Sequence, residues 1–514
     1  MGLGYFILTH LLLLLNLLAQ TQRWVVRYNG PANVVDGGNA IVVDPCGNVY
    51  VTGRSGDSPS TFECTTIKYD STGNERWVRR YHYASSSYND TGWGIAIDPY
   101  GYLYVTLSST TPGSYDDIAV IKYDSLGNLI WVRRYNGPGN DYDWPFDIAV
   151  DCFSNVYITG RSIGDGTGFD YVVIKLDSAG NEKWIRRYNG SGNNTDEAYS
   201  IAVDRHGNVF VTGVSINLVG NLDFVTIKYD SLGNERWVKT YNSPNNLNEY
   251  GATLAIDSSS NVYVFGGTWS LGTFPSDYIL IKYNAMGDTV WTRRYNGPAN
   301  GDDRPAKIVF DLRGYVYVTG SSYIDASSQT DFCTVKYDTN GNVLWVRRYN
   351  GPGSGNDQPK AITVDSYGNI YVAGKCRGPV DDDYATVVYD SIGHQLTAQV
   401  YDGPGDWEDA AQDIVVDPHG HFFITGFSGG INSAYDFTTI CYSLNWVPIC
   451  SNSRKIIVSS EICLTLLGRN SSYIYKNMKI YDIAGRLIDP SNLKTGIYFI
   501  KMDARNWYKV IKID

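Results

Sequence analysis

No stretch of this chain spaces its apolar residues at a helical period, so no amphipathic helix is expected. Charge is sparse as well. Asp, Glu, Lys and Arg make up 18% of 514 residues, and 53 acids against 42 bases leave a formal net charge of -11. That balance disfavours nonspecific attraction to nucleic acid or to an anionic membrane surface, so neither is expected as a partner. The eight cysteines, Cys46, Cys64, Cys152, Cys333, Cys376, Cys441, Cys450 and Cys463, fall at no zinc-binding spacing and read mostly as small buried side chains. Cys450 and Cys463 are the one local pair to test for a disulfide. Catalytic signatures are missing too: there is no Gly-x-Ser-x-Gly elbow, no phosphate loop, no Gly-x-Gly-x-x-Gly opening a helix and no His-Glu-x-x-His. A metal pair at His419 and His421 lacks further ligands at a suitable spacing.

Past the first residues, no apolar run is long enough to span a bilayer. Tyr5 to Leu18 is apolar apart from Thr9, His10 and Asn16, and leads into Ala19-Gln20-Thr21-Gln22. Its length suits the core of a signal peptide cleaved after Ala19, although no Lys or Arg precedes it. Residues 1–22 are therefore read as a signal peptide, with an uncleaved anchor as the alternative. The mature chain is expected to have no transmembrane span and to be secreted or held at the cell surface.

What the chain has in quantity is Tyr (42), Gly (53) and Trp (13), the composition of strands and tight turns. Four pieces form a unit: Ile148-Ala149-Val150-Asp151, Asn155 to Gly160, Asp170 to Lys175 and Trp184 to Tyr188. The Asp closing the first piece recurs at Asp44, Asp98, Asp151, Asp204, Asp257, Asp311, Asp365 and Asp417, at intervals of 52 to 54 residues. Four strands per unit at such a period predict a radial β-propeller. A fourth strand also stands alone at Trp24-Val25-Val26-Arg27-Tyr28, while the eighth unit ends at Cys441-Tyr442 without one. The fold class expected is therefore all-β: residues 23–448 form an eight-bladed propeller sealed by an N-terminal strand. Seven blades are the alternative if one unit fails to close.

Ile201-Ala202-Val203-Asp204, Gly207 to Gly213 and Asp223 to Asp230 resemble the bacterial SBBP propeller repeats, and the likeness recurs over about four fifths of the chain. The resemblance implies a scaffold without shared catalytic residues, and a count of eight departs from that family's seven-bladed description. From Ser451 the period stops. Lys479 to Ile488, Leu493 to Lys501 and Lys509 to Ile513 read as three strands, so residues 451–514 are expected to form a small C-terminal β-sandwich. The Tyr-Asp-x-x-Gly-Arg and Gly-Ile-Tyr-Phe cores in these strands resemble the sorting domain of type IX secretion cargo, although its Pro-Asn-Pro opening is absent. That resemblance implies an export machinery as a partner; an Ig-like accessory domain is the alternative.

Within the repeat, a residue present in every unit is more economically read as architecture than as a site. Each closing Asp heads a turn whose amides it can accept. The paired arginines of strand four read as protection of an outer edge, and the Lys of strand three as a partner for the neighbouring Asp. Eight positions before each closing Asp stands another carboxylate: Asp36, Asp90, Asp143, Asp196, Glu249, Asp303, Asp357 and Asp409. Strand three opens on a further set, Glu63, Asp117, Asp170, Asp223, Asp277, Asp331, Asp383 and Asp436. They read as acceptors for loop amides, with Ca²⁺ at Asp143, Asp170, Asp303 and Asp331 as the functional alternative. Symmetry is broken by Trp93, Trp144, Trp269 and Trp407 in connections on the variable rim. Rings beside Asp143, Asp303, Asp357 and Asp409 suit a sugar, whose apolar face stacks while its hydroxyls meet carboxylates. The expectation is an exported, non-enzymatic propeller binding a glycan or a surface protein; a polysaccharide hydrolase or lyase and a structural adhesion component are the alternatives.

Overall fold

The computed structural model describes residues 18–446, apart from 59, 84–88, 114, 245, 270–275, 326–328, 354, 406 and 432, and four short strands between 479 and 512. Most of the expected signal peptide, and Cys450 and Cys463, lie outside the described residues. In the third blade the strands are Asp143–Val150, Val156–Ile163, Phe169–Leu176 and Glu182–Tyr188, paired antiparallel in that order. Seven four-stranded sheets follow this pattern. The eighth takes its first three strands from Ala410–Val416, His421–Gly429 and Tyr435–Trp446, and its outer strand is Leu18–Tyr28. Strand one of every blade packs on strand one of the next, so the innermost strands close a ring of eight. The propeller body spans Gln20–Ser443. The described C-terminal strands form one antiparallel sheet in the order Leu487–Ile488, Lys479–Asp482, Gly496–Lys501, Trp507–Lys512. A second, facing sheet, which a sandwich requires, is not among the described residues.

Local chemistry explains the strand ends. Asp151 Oδ1 accepts from the amides of Phe153 and Asn155, both at 2.9 Å, and Oδ2 accepts from Asn155 Nδ2 at 2.7 Å and Tyr157 Oη at 2.9 Å. The carboxylate satisfies donors that a two-strand turn leaves over, which is why Asp recurs there. Strand two is buried from Val156 to Gly160 because blades cover both its faces, so its apolar run is continuous rather than alternating.

The blades are joined by a clip that no single unit reveals. Lys175 Nζ and Trp184 Nε1 both donate to the Ser231 carbonyl in the next blade, at 2.9 and 3.3 Å, and Arg186 Nε donates to Gly233 O at 2.6 Å. The same carbonyl is shared by Lys and Trp at Ser125, Ser178, Ala285, Thr339 and Ser391. Trp24 of the closing strand takes Ser71 O at 3.2 Å. The strand-three lysines therefore bind the neighbouring turn rather than their own Asp, a correction to the reading from sequence. The arginines are corrected likewise. Arg187 reaches Asp170, Ser162 O and Tyr135 Oη of the preceding blade at 2.8, 2.8 and 2.9 Å, so it ties strands together instead of shielding an edge.

One boundary has no clip, and the sequence follows suit. Blade 8 has no turn between strands three and four, because its outer strand comes from the N-terminus. Blade 7 correspondingly carries Val388, Thr397 and Gln399 where blades 1 to 6 have Lys, Trp and a second cation, Arg or, in blade 4, Lys239. The arginine tether is kept across that boundary: Arg27 donates to Asp436 at 3.0 Å, to Gly429 O at 2.7 Å and to Tyr401 Oη of blade 7 at 3.4 Å, as Arg187 does between blades 3 and 2.

The turn glycine is required twice over. Gly233 has φ +80°, and a Cβ there would lie 2.7 Å from the Trp184 ring, whereas Gly220 has φ +91° with nothing within 4 Å. Gly220→Ala is expected to carry only the backbone strain, about 1–3 kcal/mol. Gly233→Ala adds expulsion of the indole. Its urea midpoint should therefore fall further than that of Gly220→Ala, and equal midpoints would show that the indole does not anchor the joint.

Candidate functional site

Tight turns close strands one to two and three to four on one rim, so the connections between blades and between strands two and three gather on the other. Trp93 and Trp144 belong to the innermost strands Asp90–Ile97 and Asp143–Val150, not to connections, and Trp269 ends Val262–Trp269; Trp407 lies in the connection before blade 8. Trp93 and Trp407 are 45% and 54% exposed, while Trp144 and Trp269 are half-buried. Each stands on a different blade or connection.

Around Trp144 the rings converge. Tyr115 stacks on Tyr142 with centroids 4.4 Å apart, and Tyr142 meets Trp144 edge-on at 5.8 Å. The Arg161 guanidinium lies 4.2 Å from both the Trp144 and Phe169 rings and is paired with Glu197. Tyr199 hydroxyl donates to the same Glu197, and its ring packs edge-on against Phe146 at 5.3 Å. Trp144 Nε1 donates to Asp116 Oδ2 at 2.8 Å. Tyr115, Asp141, Tyr142, Trp144, Arg161 and Phe169 line a depression of about 470 Å³, within the size range of small-ligand sites. Sequence reasoning named Trp144 alone; the other rings sit on three different strands and connections and share no spacing.

The carboxylates named from the sequence have other work. Asp143, Asp303, Asp357 and Asp409 are at most 1% exposed. Their Oδ2 atoms accept from the amides of Gly137, Gly297, Gly351 and Gly403 at 2.5–2.7 Å, so they brace the entry to each blade from within. With no surface, they have no oxygen to offer a sugar hydroxyl. Their charged neighbours also cross blade boundaries. Asp143 feels the charge of Asp117 and Asp303 that of Asp277, each an acid of the preceding blade. Burial raises Asp143, Asp303 and Asp357 to about 6, against the pull of hydrogen bonds from Ser162, Ser322 and the glycine amides. Burial likewise raises Asp331 to about 6, with the Asp357 charge adding to it. Glu249, at the same repeat position as Asp143, is raised by burial to about 7.

A second departure from symmetry lies in the central channel. At the strand-one position before the core Ile or Leu, the blades carry Ala40, Gly94, Asp147, Ser200, Thr253, Lys307, Ala361 and Asp413. Asp147 accepts from the Ile201 amide at 2.9 Å and Asp413 from the Ile41 amide at 3.1 Å, each capping the free inner edge of the next blade. Burial raises both carboxyls, Asp413 to about 6, and the charge of exposed Lys307 opposes the shift at each. The signal was in the sequence, since these positions vary beside an apolar residue that does not.

Residues 130–166, 183–218, 290–325 and 344–375 match the SBBP family model, a beta-propeller repeat. Each match runs from a fourth strand into the next blade, the same offset that leaves Trp24 alone at the N-terminus. The chain is 24% identical over 406 residues, 64% of its length, to an uncharacterized WD repeat-containing protein of Acanthamoeba polyphaga mimivirus, and spans only 27% of that protein. Among solved structures, a polysaccharide lyase described as a PL25 ulvan lyase is similar at 12% identity and TM-score 0.42, over 68% of this chain and 90% of that one. The α-L-arabinofuranosidase Arb93A of Fusarium graminearum is similar at 11% identity and TM-score 0.36, over 68% and 91%. Scores this low carry no argument about chemistry.

The two families of carboxylate predict an optimum in stability. Burial holds Asp143, Asp303, Asp357 and Glu249 above their usual range, so they bind protons more tightly folded than unfolded. The stability they contribute is complete below about pH 4 and is lost as pH rises through about 6 to 7. At the turn carboxylates Asp124, Asp177 and Asp338, slight burial is outweighed by amide and Asn donors, and their pKa is lowered. Their contribution is lost as pH falls below the usual carboxylate range. A thermal midpoint highest at about pH 5, falling toward both pH 3 and pH 8, is expected; a midpoint that climbs steadily to pH 8 would contradict the assignment.

Proposed function

We propose that this protein is an exported, non-catalytic binding propeller that holds a neutral polysaccharide on the rings of Tyr115, Tyr142 and Trp144. The observation that carries the reading is the aromatic depression itself, where a 53% exposed Tyr115 and its stacked partner offer flat apolar faces flanked by Asp116, Asp141 and Arg161. Pyranose rings stack on such faces, while polar groups at the margin take hydroxyls. A neutral chain is favoured because the protein carries a net charge of -11, and at the margin Asp116 and Asp141 stand against a single Arg161 already paired with Glu197. Binding is favoured over cleavage because the acids nearest the rings are engaged. Asp116 holds Trp144, Glu197 is held between Arg161 and Tyr199, and Asp143 is buried, which leaves Asp141 with no second acid opposed to it across the platform among the described residues. Export to the cell surface is supported by the leader-like run before Ala19 and by the likeness of the C-terminal strands to a sorting domain.

Glycan arrays and calorimetry on the full chain test the reading. Binding without release of reducing ends is expected. Tyr115→Ala and Trp144→Ala should each weaken it about tenfold, the loss of roughly 1.4 kcal/mol of stacking. Trp407→Ala, on another connection, should leave it unchanged. No binding to any glycan, or reducing ends released by the wild type, would sink the proposal. Surface location predicts that protease added to intact cells of the native host cleaves the protein, and protection until the cells are lysed would contradict it.

A further inference from the structure

Blade 7 departs from the repeat at the point where the other blades offset a buried acid. The opening carboxylate of strand three is paired with the second arginine of strand four: Glu63 with Arg80 at 2.7 Å, Asp170 with Arg187 at 2.8 Å, Asp277 with Arg294, and Asp436 with Arg27 at 3.0 Å. Asp331 feels Arg348, and Asp223, whose blade carries Thr240 there, takes Asn217 Nδ2 at 3.0 Å. In blade 7 the arginine position is Val400. Asp383 is 2% exposed, and its Oδ1 is buried with no hydrogen-bond partner. The same oxygen of Asp170, Asp277 and Asp331 also lacks a hydrogen bond, but there an arginine supplies the opposing charge.

A second substitution deepens the deficit. Five of the connections between blades open on an Asn whose side chain donates to another Asn four residues on, as at Asn136 to Asn140 and Asn189 to Asn193, both 2.7 Å, and the one before blade 2 opens on His82. Before blade 8 that position is Asp402, a carboxyl side chain with no N–H to donate to a residue four positions on. Asp381, from the connection between strands two and three, completes the group. One carboxylate oxygen from each of Asp381, Asp383 and Asp402 lies within 4.8 Å of the others. Among the described residues Lys375 holds Asp382 at 2.8 Å and Glu408 at 2.7 Å, and Arg377 holds Asp382 at 3.4 Å.

We propose that Asp381, Asp383 and Asp402 bind one Ca²⁺, which takes the place of the arginine that blade 7 lacks. Ca²⁺ accepts several oxygens at about 2.3–2.6 Å in a flexible geometry, so ligands on opposite sides of it stand about 4.6–5.2 Å apart. Oxygens within 4.8 Å of one another fit that sphere. Two ligands come from connections and one from a strand end, so the ion would join blade 7 to the start of blade 8, next to the boundary without a clip. This site is independent of the glycan reading.

The test uses the full chain, with Ca²⁺ or Mg²⁺ as the added ion. One Ca²⁺ per chain by calorimetry is expected, with a thermal midpoint that rises by several degrees in millimolar Ca²⁺ and returns on chelation. Asp402→Asn, at an exposed position that tolerates the change, should lose the heat of binding and the shift. Val400→Arg restores the repeat; it should melt higher than the wild type without Ca²⁺ and no longer respond to it. A wild type that shows neither heat nor shift, a response that survives in both variants, or a full response to Mg²⁺ alone would each overturn the assignment.

Discussion

At six of the eight blade boundaries one backbone carbonyl holds the neighbours together. The Ser231 oxygen, in a tight turn at the outer edge, receives an ammonium and an indole N–H from the neighbouring blade, and two residues on Gly233 oxygen receives a guanidinium. A turn carbonyl facing solvent would gain little from a single donor. Three donors on one turn, two of them charged, fix the angle between adjacent sheets, and the buried Trp fills the space beneath them. The glycine of that turn follows from the clip, since the indole lies where a side chain would be.

The ring must also close, and its closure shapes the last two blades. Because the outer strand of blade 8 arrives from the N-terminus, blade 8 offers no turn to grasp. Blade 7 has dropped the residues that would grasp it. What remains there is the arginine tether that clipped boundaries also have, Arg27 spanning Asp436, Gly429 and Tyr401. The group at Asp381, Asp383 and Asp402 lies beside this same boundary, so the least regular part of the sequence is also where the ring is joined. The departures at Thr397 and Val388 thus have a topological cause, whereas Val400 leaves the buried Asp383 without the arginine that Asp170 has in Arg187.

Repetition made the fold legible. Strand number, the turn carboxylates, the count of eight and the N-terminal closing strand follow from residues that recur every 52 to 54 positions, since each reports a purely local need. The clip was not legible, because Lys175 and Ser231 belong to different units and their meeting depends on the angle between sheets. The carboxylates Asp143, Asp303, Asp357 and Asp409 were visible as a pattern, but a pattern does not say whether an acid faces water or glycine amides. Of the four tryptophans that break symmetry, Trp144 lies among converging rings. Tyr115, Phe146, Arg161 and Tyr199 joined it only through folding.

The sequence by itself determined which residues become strands, where each turn falls and how many blades form, because alternation, turn chemistry and period act over a few residues at a time. Only the tertiary structure decided which acids are buried, which arginines are tethers and which side chains share a depression. Those properties depend on how radial sheets face one another across blade boundaries, between residues roughly fifty positions apart, and in the eighth blade between the two ends of the propeller.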